Sequence, residues 1–135
     1  MNVLNITFNE INASKKSNPR GQINVSNNIK IIEVKEAKLN LEKEKKALQI
    51  DFEYTTKYEP DFGTIILKGT SVILEDTKNA DAILTKWSKD KKVEKDNAAK
   101  ILNPVMNKAV LETILIAREL DLPAPLPLPS IKTDN

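Results

Sequence analysis

Cysteine and histidine are both missing from this chain of 135 residues. Without thiols there are no disulfides and no thiol nucleophile. Without imidazole there is no common zinc site and no histidine acid–base chemistry, serine hydrolase triads included. Glycine occurs only three times, and never in a Gly-x-Gly-x-x-Gly or Gly-Lys-Ser/Thr setting, so no phosphate-cradling loop is expected. No apolar stretch approaches the roughly 18 residues that a membrane span needs. The start, Met-Asn-Val-Leu-Asn-Ile-Thr-Phe, lacks the basic region and apolar run of a signal peptide. Asp51, Glu53, Glu59 and Asp61 are close in sequence and could make an acid pair or hold a hard cation. An exposed acidic strand face accounts for them more simply. These absences predict a cytoplasmic protein that is not an enzyme and needs no cofactor or metal.

What is present describes an ordinary globular domain. Hydrophobic residues make up 40% of the chain and charged residues 30%, and the length suits one domain over residues 1–135. Net charge is +2, too small by itself to imply nucleic acid. Residues 1–47 hold nine Lys/Arg against five Asp/Glu, whereas residues 48–75 hold two against five. Basic segments thus flank an acidic middle.

That middle organises the chain. Leu48, Ile50, Phe52 and Tyr54 alternate with Gln49, Asp51, Glu53 and Thr55, the period of a strand with one buried face. Residues 59–63 supply a connection with proline and glycine, and a return strand follows. Ile65 and Leu67 are in one phase and Val72 and Leu74 in the other, so a bulge or bend is expected at Gly69. Upstream, residues 3–8 alternate as a first strand, and residues 14–21 carry loop signals. Residues 22–34 read as a strand pair or one long irregular strand, with phase changes around Asn27-Asn28 and at Ile31-Ile32. The run Glu-Lys-Glu-Lys-Lys at 42–46 reads as a solvated turn or a lysine-guarded strand end, with no aromatic interleaved.

Downstream, Asp76-Thr77 can cap a short helix over residues 78–87, with Ala80, Ile83, Leu84 and Trp87 on one face. A lysine-rich connector precedes a long helix, capped near Asp96 or Asn97 and running to about Leu120. Pro104 should kink it or mark its first turn. Beyond Pro104 the polar stripe is narrow (Lys108, Glu112, Glu119), and apolar residues fill most of the remaining circumference. One sheet face cannot cover so wide an arc, so a second copy is expected to meet this helix. Four prolines between 123 and 129 then impose an extended tail, expected to pack across the sheet. The predicted class is α+β: an antiparallel, roughly four-stranded meander (residues 1–75), one short and one long helix (76–120), and a proline-rich tail (121–135).

The strand-rich half with its long hairpin, then Ile101-Leu102-Asn103-Pro104, the helix at 105–120 and Leu126-Pro127-Leu128-Pro129-Ser130-Ile131, together resemble the SecB-type protein-export chaperones. The resemblance covers about two-thirds of the chain as a pattern. It implies a sheet backed by the long helix, a dimer or tetramer with helices buried between subunits, and a holdase keeping unfolded or translocation-competent polypeptides in apolar grooves. Carried over, Phe52, Tyr54, Phe62 and Leu126 become candidates for lining a peptide groove. Val110, Ile114 and Leu115 become candidates for the oligomer interface, and Asp51 and Glu53 for docking a partner such as an export motor. That family continues into a second C-terminal helix, whereas here five residues follow Ser130, so a more open groove is expected. A toxin–antitoxin pair is another conceivable partner. The alternative is a small basic ribosome- or ribonucleoprotein-associated protein, binding RNA phosphates through Lys15, Lys16, Arg20 and the lysines at 43–46 and 89–95. Unfolded or nascent polypeptide is the expected partner, without nucleic acid and without membrane insertion.

Overall fold

Alternating apolar residues on 48–54 need a cover on one side only, and the chain supplies it from its second half. The computed structural model describes residues 1–16, 21–39 and 44–125. It contains strands β1 (Asn2–Lys15), β2 (Asn24–Ala37), β3 (Lys45–Glu59) and β4 (Gly63–Asp76), then helices α1 (Thr77–Asp90) and α2 (Lys95–Glu119). The strands form one antiparallel sheet in the order β1-β4-β3-β2. Strands β2, β3 and β4 are a meander, and β1 lies on the far side of β4. Both helices pack on the same sheet face, which gives an α+β fold.

Three expectations about the strands need correction. Strand β1 runs to Lys15, well past Phe8, so Ser14 is sheet rather than loop. Its second half is mostly exposed and polar, as befits an edge strand, and so lacks an apolar period. In β2 the phase does not change at Asn27-Asn28. Asn27 stands opposite Thr56, in the same inward row as Val25, Ile29 and Ile31, and the one irregularity falls between Ile31 and Glu33. In β4 there is no bulge at Gly69, because the register with β3 is unbroken from Asp76 to Gly63. The bulge lies opposite, in β1, between Phe8 and Glu10.

Gly69 answers a packing demand instead. A Cβ there would sit 2.2 Å from the Thr7 carbonyl oxygen and 2.7 Å from Phe52 Cζ. The space belongs to Phe8 and Phe52, whose rings meet edge to face at 6.1 Å between centroids. Val72 and Leu74 face the open side, and Ser71 and Ile73 take the inward places.

The helices follow their spacing more closely. In α1, Ala80, Ile83 and Trp87 are buried, and the Trp87 indole N–H donates to Glu33 Oε1 at 2.7 Å. Asp76 occupies the N-cap without a side-chain capping bond. Its carboxylate is held by Lys45 at 2.7 Å, which keeps it below the usual carboxylate range. The N-cap of α2 is Glu94, also without a side-chain capping bond, rather than Asp96 or Asn97. Pro104 lies in the interior of α2. It is not in the first turn, and the helix continues through it although the carbonyl four residues back loses its helical donor.

Two apolar clusters fill the space between helices and sheet. One gathers Val34, Leu48, Ile50 and Ile73 under Ala80, Ile83, Trp87 and Ile101. The other gathers Tyr54, Tyr58, Phe62, Ile65 and Leu67 under Ala109, Ala117 and Leu122. Each fully buried aliphatic side chain among them contributes about 1.5–3 kcal/mol.

Candidate functional site: a groove between the outer strand and the long helix

Helix α2 buries Ile101, Val105, Ala109, Thr113 and Ala117. Residues four apart share one line on a helix, a line that drifts slowly around the axis. Ala109, Thr113 and Ala117 are small, which lets the second half of the helix lie close to the sheet. Thr113 spends its hydroxyl locally, donating to the Ala109 carbonyl at 2.7 Å. The neighbouring face keeps large apolar residues in solvent: Leu111 is 66% exposed, Leu115 56%, Ile114 41% and Met106 38%.

Between this helix and the outer strand β2 lies a groove of about 660 Å³. Asn27, Asn28 and Ile29 form one wall, Met106, Asn107, Val110 and Leu111 the other, and Tyr54 contributes at the base. The size suits a few side chains of an extended peptide or a small apolar ligand. The strand wall carries an ordered amide. Tyr54 and Thr56 both donate to Asn27 Oδ1, at 3.1 and 2.6 Å, which fixes the amide so that Nδ2 donates to the Pro125 carbonyl at 3.0 Å. The Tyr58 hydroxyl donates to the Pro123 carbonyl at 2.7 Å. Burial raises the Tyr54 hydroxyl pKa, and burial, then the nearby Tyr54, pushes that of Tyr58 up to about 12. Both therefore stay neutral donors at ordinary pH.

The residues singled out for peptide binding are dispersed. Tyr54 lies at the groove. Phe62 is buried beneath a separate depression of about 570 Å³ near Arg118, Leu122 and Pro123. Phe52 is sealed under Phe8 and Gly69, with only 1% of its surface exposed, and lines neither cavity. Leu126 lies outside the described residues. Val110, singled out for the oligomer interface, lines the groove, while Ile114 and Leu115 stand on the exposed helix face. Sequence reasoning passed over Asn27, Asn28, Ile29, Met106 and Leu111 as site residues. One signal was available: Asn27 is a polar residue in an inward row.

Asp51 and Glu53 point to the opposite, open face. Asp51 accepts from Thr70 Oγ1 at 3.0 Å and from Gln49 at 3.2 Å. Glu53 stands in a row that crosses all four strands, Lys30–Glu53–Lys68–Glu10, with alternating signs. Lys30 reaches Glu53 at 4.0 Å and Lys68 reaches Glu10 at 3.5 Å. Among the described residues no group of three or more Asp or Glu side chains could hold a metal ion, and no helix is long and apolar enough to cross a membrane.

No protein-family model matches the sequence, and no curated protein sequence matches it. The fold is similar to that of Rv1957, a SecB-like chaperone from Mycobacterium tuberculosis, solved in complex with a ChAD peptide from the HigA1 antitoxin. The superposition has a TM-score of 0.53 and 13% identity, and it covers 98% of this chain and 91% of that one. A four-stranded antiparallel sheet with two C-terminal helices on one face, matched over nearly the whole chain, gives this protein a SecB-like fold.

Proposed function

We propose that this protein is a chaperone of the holdase kind, which binds unfolded or export-competent polypeptide without covalent chemistry. The observation that carries it is the apolar groove between β2 and α2, continuous with the exposed Leu111, Ile114 and Leu115. An extended client laid there would bury one or two side chains in the groove. Each such side chain would contribute about 1.5–3 kcal/mol before ordering costs, which suits weak, exchangeable capture. Strand β2 is also a sheet edge, and its outer backbone groups can pair with an incoming strand. The SecB-like fold, and a structural neighbour seen with a peptide from another protein, favour a polypeptide ligand.

The same helix face is our candidate for self-association in the cytoplasm. Ile114 and Leu115 from two copies would cover each other, in a dimer or a tetramer, and Val110 would join them from the rim of the groove. Docking of a further partner at Asp51 and Glu53 belongs to this proposal as well. Such a partner must bring cations that replace Lys30 and Lys68 as neighbours of Glu53.

The test is light scattering of an aggregating unfolded protein with and without this one, alongside its solution mass. We expect suppression at near-stoichiometric ratios, little affected by salt, and a mass above that of one chain. A monomer that leaves aggregation unchanged would overturn the proposal. Binding that collapses steeply as salt rises would instead favour RNA phosphate contacts through the lysines.

A further inference from the structure

Helix α2 crosses from the closed half of the sheet to the groove, and Pro104 stands at the crossing. Before it, Ile101 is fully buried in the cluster under α1. There the Asn79 amide also donates to Asn97 Oδ1 at 3.2 Å, tying the first turn of α2 to α1. After it, Val105 is sealed beside the proline, and the covered line continues with Ala109, Thr113 and Ala117. These three are small, so lifting them slightly from the sheet uncovers less apolar surface than lifting Ile101 would. Pro104 has no N–H, and the Lys100 carbonyl therefore has no helical donor to lose when the helix bends there.

The segment after Pro104 is fixed on three sides and open on the fourth. Its near end is held to α1 as described. At its far end Leu122 is buried beside Gly63, where an added Cβ would meet its Cδ2 at 3.1 Å, and the Tyr58 hydroxyl donates to the Pro123 carbonyl. On the β1 flank the Lys108 ammonium donates to the Ile6 carbonyl and stands 5.4 Å from the centre of the Phe8 ring. On the β2 flank lies the groove, and among the described residues no hydrogen bond or ion pair joins α2 to β2. A helix tied along one flank rolls most easily so as to widen or narrow the space on the other, carrying Met106, Val110 and Leu111 with it.

We propose that α2 from Val105 to Glu119 is a movable wall of the groove. It rolls about its Lys108 tether and bends at Pro104, and so admits apolar client side chains of different bulk. This rests on the reading that the groove takes polypeptide, and it supplies the means by which one site adjusts its width.

The absence of cysteine makes site-specific labelling clean. Spin labels at Ser26→Cys and Ile114→Cys report the distance from helix to β2, and labels at Asn12→Cys and Ile114→Cys the distance from helix to β1. Each doubly labelled chain is diluted into excess unlabelled chain, so that electron–electron resonance reads distances within one chain. Adding an uncharged decapeptide with a central Trp should lengthen the first distance by about 2 Å and leave the second unlengthened. With peptide bound, no change in either distance, or equal lengthening of both, would overturn the proposal and leave groove binding standing.

A second measurement uses fluorescein-labelled versions of that peptide and of one with Val in place of Trp. Pro104→Ala returns a donor to the Lys100 carbonyl and stiffens the bend. It should weaken the Trp peptide several-fold and leave the Val peptide unchanged, and equal effects on both would count against the movable wall. If neither peptide bound either chain, the groove reading would fall. A Ser26–Ile114 distance that is broad in the free chain and narrowed by Pro104→Ala would then still sustain the movement.

Discussion

The two ends of one sheet face are covered in different ways. Under α1 and the start of α2, the cluster around Leu48, Ile50, Trp87 and Ile101 is closed on every side. Its indole N–H finds Glu33 and little of it meets solvent. Under the second half of α2 there is one helix and a short strap of proline-bearing chain. The residues there carry hydroxyls, Tyr54 and Tyr58, and among the described residues the space beside the helix stays open. Among the described residues a single sheet thus has a closed half that holds the fold together and a more open half, and the open half carries the candidate site.

Substitutions should separate the halves. The largest loss is expected from Trp87→Ala, about 3–5 kcal/mol by urea unfolding followed by circular dichroism. It removes the anchor of α1 and leaves Glu33 without its donor. Gly69→Ala comes next, at about 1–3 kcal/mol or more, since its Cβ would press on the Thr7 backbone rather than on a movable side-chain end. Tyr58→Phe should cost about 1 kcal/mol for the lost bond to Pro123.

That last variant also has a pH signature. The folded Tyr58 hydroxyl keeps its proton to about pH 12, while an unfolded tyrosine loses it near pH 10. Its contribution is therefore complete below about pH 10 and is lost between about pH 10 and 12. Stability of the wild type should fall more steeply than that of Tyr58→Phe across this window, and parallel curves would contradict the assignment. The smallest effect on folding is expected from Leu111→Ser, within about 0.5 kcal/mol, yet it should weaken capture of an unfolded client several-fold. If it destabilised the fold as much as Trp87→Ala, the contrast between the halves would be gone.

Much of the fold was legible from spacing alone. The alternation through residues 48–55 names β3 and its buried face, and the spacing of Ala80, Ile83 and Trp87 names the covered face of α1. Two misreadings share a cause. At Gly69 the inward place is small because Phe8 and Phe52 reach across from neighbouring strands, and Ser71 holds the next inward place, so Val72 and Leu74 on the open side mimic the core phase. At Asn27 a polar residue takes an inward place because it bonds Tyr54, Thr56 and the C-terminal strap. In both, the reason for the residue lies on another strand. The groove was less legible still: Asn27–Ile29 and Met106–Leu111 are about eighty positions apart, and only the strand order and the seating of α2 bring them together.

The charge row on the open face has a consequence for whatever approaches from that side. Two cations and two anions in alternation, running Lys30, Glu53, Lys68, Glu10, cancel within a few ångströms of the sheet. Beyond a Debye length, about 8–10 Å in physiological salt, that band exerts almost no pull. A molecule meeting it would arrive by undirected diffusion, at the 10⁵–10⁶ M⁻¹s⁻¹ typical of unsteered encounters. Its arrival rate would be nearly indifferent to ionic strength.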